Sequence, residues 1–445
     1  GALNEVKPLK SIPFTGESGI NYPSVEKTRK EVDAANVLLE AKKWWFDQFW
    51  DDDCVFRTIK ETNLYVGTIL AKPRPEKLHE RYSWQPQWAI EWQPLTAQRV
   101  FRWFGLLFWM AQHKTAGEKE LWSQQWFYKR EGASRFMTFK EHQAMKAAIH
   151  FQSDNEGGRL DGVVKKIGVV MDIVRDNCKG LYTPGEHVAL DEIALQMSAS
   201  SVFKHIFRNK PAGQGLLFWS YGESAARSQY CCYFILDRND GRANKIRSAI
   251  HELLASLPRK EGRKVFMDNL FPWTDLFQTL AAEGIYCCGT ARPGRGLPAS
   301  VEMCKKAKKS ENPLKKQGDF VFAVHQESNQ VACAWLDSSV VLGLSNFHAP
   351  DKCVVDRKKK GMAGKIEVEA PLQFKEYNKH MGAIDDIDRV RANCSTALRT
   401  YKWYHKVLYF LLDTCAMNAH HCWKLHNKGS VLTNMSRLMW LAALA

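Results

Sequence analysis

The feature that constrains the fold most is a short apolar run that stops at an acidic residue. Residues 265–267 read Val-Phe-Met and are followed at once by Asp268, after which Asn269 and Pro272 lead into a predicted helix. Such a run is typical of a strand covered on both faces. In open α/β sheets the ligand crevice lies at the carboxyl ends of the strands, so Asp268 is a candidate functional residue. A simple helix cap is the alternative interpretation.

The elements around this run predict a mixed α/β fold. Strand-like runs follow one another at residues 187–190, 216–221, 230–236, 265–267 and 285–288. Helical patterns lie between the later runs, at residues 244–257 and 273–282. Strands in a meander followed by alternating strands and helices predict an RNase H-like core.

A second acidic residue repeats the arrangement. Asp191 follows the apolar residues 188–190, and we predict that this strand also ends at its acid. If the two strands are neighbours in the sheet, Asp191 and Asp268 come together. Converging carboxylates repel each other unless a cation such as Mg²⁺ or Mn²⁺ neutralises them. The pair therefore predicts a divalent-metal site.

A third acidic cluster opens a long stretch that contains no proline. On a helix, Asp385 and Asp388 share a face because they are three residues apart, while Ile384 and Ile387 can pack that helix onto the sheet. This pattern predicts carboxylates held over the strand ends. Taken alone, acidic residues near a helix start are also favoured by the helix dipole.

Charge and composition indicate a polyanionic partner. The 445 residues include 63 Lys and Arg against 48 Asp and Glu, a formal net charge of +15, which is typical of proteins that bind nucleic acid. The longest apolar run, residues 103–111, is far shorter than the ~20 residues of a membrane span, so we expect no membrane partner. Twelve scattered Cys without a CxxC pair indicate buried thiols in a reducing compartment.

Residues 292–371 interrupt the alternating pattern and are locally basic. They hold 14 Lys and Arg against 9 Asp and Glu, partly in clusters at residues 305–309 and 357–360. We predict an insertion whose basic clusters lie along DNA phosphates, with solvated loops as the alternative. The run at residues 357–360 is also the type of sequence that serves as a nuclear localisation signal.

The chain before the first predicted strand reads as helical. Residues 1–29 show no periodicity and are expected to form a flexible tail. Apolar residues recur at three and four positions from residue 31 to 50, and further helical patterns cover residues 100–113, 134–150 and 162–178. The first 180 residues are therefore predicted to be mainly α-helical.

These residues resemble the catalytic signature of piggyBac-type transposases. The similar blocks at the acids are Leu190-Asp191-Glu192, Met267-Asp268-Asn269 with Phe271, and Tyr377-Asn378 with Gly382 and Asp385-x-x-Asp388. Similar blocks outside the acids include Trp92-Gln93-Pro94-Leu95-Thr96, Ser134-Arg135-Phe136, Tyr182-Thr183-Pro184-Gly185, Asn209-Lys210-Pro211, Gly289-Thr290-x-Arg292 and Arg399-Thr400-x-Lys402-Trp403. The resemblance covers roughly residues 30 to 426, and blocks in the family's order are a specific signal.

The resemblance implies a role for each acid. Asp191, Asp268 and Asp385 would form the metal-binding catalytic triad, with Asp388 as an accessory carboxylate. Two Mg²⁺ or Mn²⁺ ions would serve as cofactors, since a metal pair about 3.5–4 Å apart promotes in-line displacement at phosphorus without a protein nucleophile. The implied activity is cut-and-paste transposition of double-stranded DNA through hairpinned transposon ends at TTAA targets, by a homodimer in the nucleus.

Other interpretations remain open. The chain could instead be a domesticated, transposase-derived DNA-binding or scaffold protein in which cleavage is not required, or a metal-dependent nuclease outside transposition. The family's second Gly is replaced by Ala383 and its usual Gln by Arg389. The Cys-rich finger of many members has no counterpart here, and the Cys and His residues between 415 and 426 fit no familiar zinc spacing, so we predict no zinc.

The resemblance and the charge pattern together predict the domains and the DNA contacts. The predicted DNA-binding residues are Arg292, Arg295, Lys305, Lys306, Lys358, Lys359, Lys360, Arg399 and Lys402. The predicted units are the tail (1–29), a helical dimerisation and DNA-binding domain (30–185 and 396–445), the RNase H-like core (186–291, closed by a helix in 372–395) and the insertion domain (292–371). The two parts of the helical domain would thus come before and after the core along the chain.

Overall fold

A computed structural model gives the fold of most of the chain. It describes residues 15–16, 18–21, 39–74, 84–124, 132–152, 164–208, 212–224, 230–238, 245–259, 262–308, 310–358, 364–428 and 435–444. The chain forms two compact units. The sheet unit comprises residues 1–19, 183–196 and 202–388, and the helical unit comprises residues 20–182, 197–201 and 389–445.

From residue 187 to residue 291 the described strands and helices follow the order that the sequence predicts, with one further short strand at His205–Ile206. The strands are β1 (Gly19–Ile20), β2 (Tyr182–Thr183), β3 (His187–Gln196), β4 (His205–Ile206), β5 (Gln214–Glu223), β6 (Cys231–Leu236), β7 (Lys264–Met267), β8 (Tyr286–Ala291), β9 (Phe320–His325), β10 (Gln330–Leu336), β11 (Val340–Ser345), β12 (Lys352–Lys358) and β13 (Lys365–Pro371). The helices are α1 (Leu39–Asp47), α2 (Asp52–Leu70), α3 (Gln87–Ile90), α4 (Ala97–Gln112), α5 (Ala133–Phe136), α6 (Phe139–Ala148), α7 (Gly168–Leu181), α8 (Lys245–Ala255), α9 (Thr274–Ala282), α10 (Ala299–Lys306), α11 (Leu372–His380), α12 (Ala383–Asn393), α13 (Trp403–His426) and α14 (Arg437–Leu444), with a 3₁₀ turn at Glu118–Trp122.

A mixed sheet organises the sheet unit, and the predicted mixed α/β class is confirmed. Its strand order is β4-β5-β3-β7-β8-β11-β10-β9, with β6 also paired to β5. Strands β3, β5 and β6 form an antiparallel meander, whereas β3, β7 and β8 pair in parallel. Helix α9 connects β7 to β8, as parallel neighbours require a crossover.

The centre of this sheet is apolar because parallel strands are covered on both faces. Val265, Phe266 and Met267 are all buried, as the apolar run predicted. Helix α9 buries Leu276, Phe277 and Leu280, whose spacing places them on one face of the helix. The strand that carries Asp268 is therefore held from both sides.

One prediction about the strands was wrong in its extent. Strand β3 does not end at Asp191 but continues to Gln196, because its antiparallel ladder with β5 runs on to the pair Gln196↔Gly215. The residues predicted as an insertion also contribute strands to the same sheet, since β11 pairs with β8 from Leu342↔Ala291 to Ser345↔Cys288. Pairing with β11 covers the edge of β8, whose backbone N–H and C=O groups would otherwise be unpaired on that side. Only β12 and β13 form a separate two-stranded sheet within the described part of this stretch.

The predicted closing helix is two helices. Helix α11 ends at His380 and α12 begins at Ala383, with Met381 and Gly382 between them.

The helical unit has an aromatic core. Trp45, Phe46 and Trp50 are buried, and the Phe46 and Trp50 rings pack edge-on against Phe108 and Phe104 of α4. Local signals define helix starts: the Asp51 side chain caps α2, and Thr138 with Glu141 forms a capping box at α6. Among the helices described, none is both long and apolar enough to cross a membrane.

Candidate functional site: carboxylates at the centre of the sheet

The parallel ladder between β3 and β7 brings two of the predicted acids together. It pairs His187 with Lys264 and ends with Leu190 opposite Met267. Asp191 and Asp268 are the next residues on the two chains, so they leave the ladder side by side. The predicted adjacency of the two strands is confirmed.

Asp385, the third predicted acid, is close enough to Asp191 for its charge to raise the pKa of the Asp191 carboxyl. Burial first, and then the negative charges of Asp385 and Asp268, raise the pKa of Asp191 to about 7, although the Glu192 backbone N–H donates to its Oδ1 at 2.8 Å and opposes the shift. Charges that interact in this way must converge on one region. The structure therefore places Asp268 and Asp385 near enough to Asp191 for their charges to oppose its ionisation.

Helix α12 places Asp385 by packing directly on the sheet. Ile384 and Ile387 are buried, as predicted for the apolar face of this helix. They contact β5 at Gly222, where an added Cβ would lie 2.7 Å from Ile387 Cδ1 and 3.2 Å from Ile384 Cδ1. The missing side chain of Gly222 allows this close approach. Asp385 is exposed and Asp388 is partly buried on the same helix.

Two hydroxyl groups orient Asp268. Asp268 Oδ1 accepts from Thr290 Oγ1 at 3.3 Å and from Tyr377 Oη at 3.4 Å, and these two hydroxyls lie 3.4 Å apart. Thr290 comes from β8 and Tyr377 from α11. Burial raises the pKa of Tyr377, so its hydroxyl stays protonated and can donate. Both residues lie in the sequence blocks noted above, but nothing in their spacing indicated contact with Asp268.

This arrangement fits a hard divalent cation. Its donors are carboxylate oxygens, which Mg²⁺ prefers. The pKa of Asp191 is raised by burial first and then by the neighbouring carboxylates, and a bound cation would oppose both effects. Asp191, Asp268 and Asp385 are the residues that could hold such ions. Tyr377 and Thr290 would not bind the ions themselves but would hold the Asp268 carboxylate in place through their hydroxyl groups.

The described residues also contain a metal-ligand group that the sequence analysis missed. The candidate ligand atoms of His187, Glu376 and His380 all lie within 4.8 Å of one another. The available signal was the spacing of Glu376 and His380, which are four apart and share a face of α11. His187 is distant in sequence, so the complete group depends on the fold.

The predicted DNA-binding residues have varied environments. Arg292 donates through Nε to Asn269 Oδ1 at 2.7 Å, beside Asp268, and the Arg295 guanidinium lies 3.9 Å from the Trp273 ring centroid. Lys305 donates to the Val340 carbonyl, and Lys306 pairs with Glu302 on the same helix. Lys358 is exposed at the end of β12, whereas Lys359 and Lys360 lie outside the described residues.

Two of the predicted DNA-binding residues, Arg399 and Lys402, belong to the helical unit, and their surroundings differ. The ammonium of Lys402 donates to the Ala147 carbonyl at 2.5 Å, and burial lowers the pKa of Lys402 to about 8. The Arg399 carbonyl lies 3.5 Å from Lys146 Nζ. Lys402 thus has a partner within its own unit.

The sequence is similar to known transposases and to proteins derived from them. The family described as Transposase IS4 matches residues 43–420. PiggyBac transposable element-derived protein 3 of Homo sapiens is 25% identical over 284 residues, which are 61% of this chain and 46% of that protein. PiggyBac transposable element-derived protein 2 of Homo sapiens is 23% identical over 396 residues, 86% of this chain and 60% of that protein. The chain therefore spans about half the length of these relatives.

The fold is similar to that of a solved transposase. The cryo-EM structure of the piggyBac transposase synaptic complex with hairpin DNA superposes with a TM-score of 0.72 at 17% sequence identity. The match covers 96% of this chain and 82% of that one. At this identity the likeness concerns the fold.

Proposed function

Because the chain belongs to the piggyBac-type transposase family, we propose that it cleaves DNA strands and transfers them by metal-dependent phosphoryl transfer. The observation that carries the proposal is the convergence of Asp191, Asp268 and Asp385. Two of these acids leave a parallel ladder side by side, and the third lies near enough to raise the pKa of Asp191.

The proposed core is RNase H-like. The meander of β3, β5 and β6, followed by the parallel strands β7 and β8, supports this assignment because it is the order that the sequence pattern predicted. Strands β9 to β11 extend this sheet beyond β8. The acids then occupy the middle of the sheet.

The chain's own residues would hold and orient the metal ions. Asp191, Asp268 and Asp385 supply the ligands, with Asp388 one turn further along α12. Divalent ions bound there would activate a water or a 3′-hydroxyl and stabilise the leaving oxygen. The hydroxyls of Tyr377 and Thr290 restrict the rotation of the Asp268 carboxylate, which keeps its second oxygen directed away from them. Asp191 must be deprotonated to serve as a ligand.

We further propose that the substrate is double-stranded DNA, specifically transposon ends and a TTAA target. The similar solved structure contains hairpin DNA. The net charge of +15 supports a polyanionic partner, and Arg292 contacts Asn269, the residue after Asp268, where it could contact phosphates. A nuclear homodimer, with the helical unit as the dimerisation element, completes the proposal.

A second candidate is a domesticated DNA-binding or scaffold protein. Two of the similar human proteins are named as derived from transposable elements, which favours this alternative. It predicts DNA binding without a requirement for cleavage. The retained acids at three separate positions favour the enzyme.

Comparison of Asp268→Asn with the parent protein tests the proposal. Asn keeps the shape of the side chain but loses the charge that attracts Mg²⁺, so cleavage of TTAA-containing DNA should fall by more than about 100-fold while DNA affinity stays nearly unchanged. Asp275→Asn is the matched control, because Asp275 pairs with Arg247 at the surface of the same unit. If Asp268→Asn cleaves as well as the parent, Asp268 is not a metal ligand. If the parent binds DNA but does not cleave it in Mg²⁺ or Mn²⁺, the scaffold alternative is preferred.

A further inference from the structure

Three side chains on the sheet unit form a compact group apart from the carboxylates. His187 opens β3, and Glu376 and His380 lie on consecutive turns of α11. Their candidate ligand atoms lie within 4.8 Å of one another, and His380 Nε2 is 3.5 Å from Glu376 Oε2. Two imidazoles and one carboxylate are a ligand set suited to Zn²⁺.

The orientation of His380 leaves a lone pair directed into this group. His380 Nδ1 lies 3.0 Å from the Ser224 carbonyl oxygen, which can only accept, so Nδ1 carries the proton. Burial lowers the pKa of His380, which favours the neutral ring, and in that ring Nε2 is the unprotonated nitrogen. It is buried and makes no hydrogen bond with any described residue, and the His380 side chain is only 5% exposed. A backbone carbonyl that fixes the outer nitrogen of a histidine is a common second contact at zinc sites.

The surroundings favour neutral imidazoles. The His187 ring stacks on His380 with centroids 4.2 Å apart, and the His380 ring also stacks on Phe266. Burial, and the neighbouring His380, lower the pKa of His187 to about 4, so the ring is unprotonated at neutral pH, the form that binds metal. The nearest cations are balanced by acids: Lys264 pairs with Glu186, and the exposed Lys379 lies 4.0 Å from Glu376.

We propose that His187, Glu376 and His380 bind one Zn²⁺ ion, which fastens helix α11 to the start of strand β3. Because an imidazole lone pair lies in its ring plane, two stacked rings share an ion only if one ring tilts. Ser224 holds His380, so His187, whose side chain is 24% exposed, is the ring that moves.

The proposed ion is distinct from the ions at the aspartates. His187 precedes Asp191 by four residues on one strand, which corresponds to roughly 13 Å. Glu376 is followed directly by Tyr377, the residue that contacts Asp268. The ion would therefore stabilise the helix that supports the acid, with no part in the chemistry. The Cys and His spacings along the chain gave no sign of this zinc site, because His187 is distant in sequence from Glu376 and His380.

Zinc titration of the EDTA-treated full chain, followed by calorimetry, tests the proposal. The parent protein should bind one more Zn²⁺ per chain than His187→Ala or Glu376→Gln, or bind it at least about 100-fold more tightly. His325→Ala should match the parent, because His325 is an exposed histidine of the same unit outside the group. Asp268→Asn should retain the Zn²⁺ site that His187→Ala and Glu376→Gln lose, which separates this site from the proposed catalytic one.

Thermal unfolding supplies the second measurement. Zn²⁺ should raise the Tm of the parent and of His325→Ala, since an ion that binds only the folded state stabilises it. It should leave the Tm of His187→Ala and Glu376→Gln unchanged, while circular dichroism in EDTA checks that both variants fold. Equal Zn²⁺ stoichiometry and affinity in the parent, His187→Ala and Glu376→Gln would overturn the proposal, whether or not the protein cleaves DNA.

Discussion

Tyr377 Oη lies 3.4 Å from Asp268 Oδ1 and links helix α11 to the end of strand β7. Thr290 Oγ1 contacts both atoms, at 3.4 and 3.3 Å, so three elements of the sheet unit meet at one carboxylate. Contacts of this kind restrict a carboxylate to one orientation, which a metal site requires. The position of α11 therefore affects the proposed chemistry through Tyr377.

Tyr377→Phe should weaken metal-dependent cleavage without unfolding the protein. The variant keeps the buried ring and removes only the hydroxyl that restrains Asp268. Loss of a second contact to a metal ligand lowers metal affinity or activity by about 10–100-fold, whereas one such hydrogen bond contributes only about 1 kcal/mol to stability. We expect the Mg²⁺ concentration for half-maximal cleavage to rise. Tyr401→Phe, at an exposed tyrosine of the helical unit, is the control, and an unchanged Mg²⁺ dependence in Tyr377→Phe would argue against the restraint.

Asp191→Asn should stabilise the metal-free protein at high pH. The pKa of the Asp191 carboxyl has its ordinary value of 3.8 in the unfolded chain and is raised to about 7 in the folded protein, because burial and the nearby carboxylates oppose its charge. Between these values the folded state binds more protons than the unfolded state, so the parent loses stability as the pH rises. The amide of the Asp191→Asn variant does not ionise, so the variant does not lose this stability as the pH rises.

The Tm difference between Asp191→Asn and the parent, measured in EDTA, should therefore be small near pH 4 and grow up to about pH 8. Added Mg²⁺ should reduce the difference at high pH, because it compensates the charge of the parent site. A Tm difference that does not change with pH would show that Asp191 is not the group that titrates.

Gly222→Ala should displace helix α12 and impair cleavage. The new Cβ would lie 2.7 Å from both Ile387 Cδ1 and the Tyr230 carbonyl oxygen, so the helix that carries Asp385 must shift. Overpacking of this kind typically costs about 1–3 kcal/mol. Denaturant unfolding measures the loss, and cleavage should fall more than DNA affinity.

Gly67→Ala is the matched control. Gly67 lies within helix α2, and among the described residues no atom outside the helix's own backbone lies within 4 Å of the point that an added Cβ would occupy. Alanine there should stabilise the protein by about 0.5–1 kcal/mol. Equal effects of the two substitutions would refute the close packing of α12 on β5.

Lys358→Ala and Lys402→Ala should affect different properties. Lys358 is exposed and its charge is available to phosphates, so its loss should lower the log–log salt slope of DNA binding by up to about 0.9. Lys402 donates to the Ala147 carbonyl within the helical unit, so its loss should lower the Tm and leave the slope nearly unchanged. Filter binding across a salt series measures the slopes. If only Lys402→Ala changed the salt slope, Lys402 and not Lys358 would be the residue that contacts DNA phosphates.

Local sequence patterns were sufficient to predict strand β7, which precedes Asp268, and helix α12, which carries Asp385. The apolar run before Asp268 predicted β7, and the spacing of Ile384 and Ile387 predicted which face of α12 packs on the sheet. Such signals are reliable because burial repeats with the period of the helix or strand itself.

Only the tertiary structure decided what depends on distant partners. Strand β3 passes beyond Asp191 because β5 continues to pair with it, and β11 joins the sheet because β8 presents an open edge. The group of His187, Glu376 and His380 exists because a ladder and a helix bring distant positions within 4.8 Å. Periodicity describes a residue's own element, but it carries no information about which other element will lie against it.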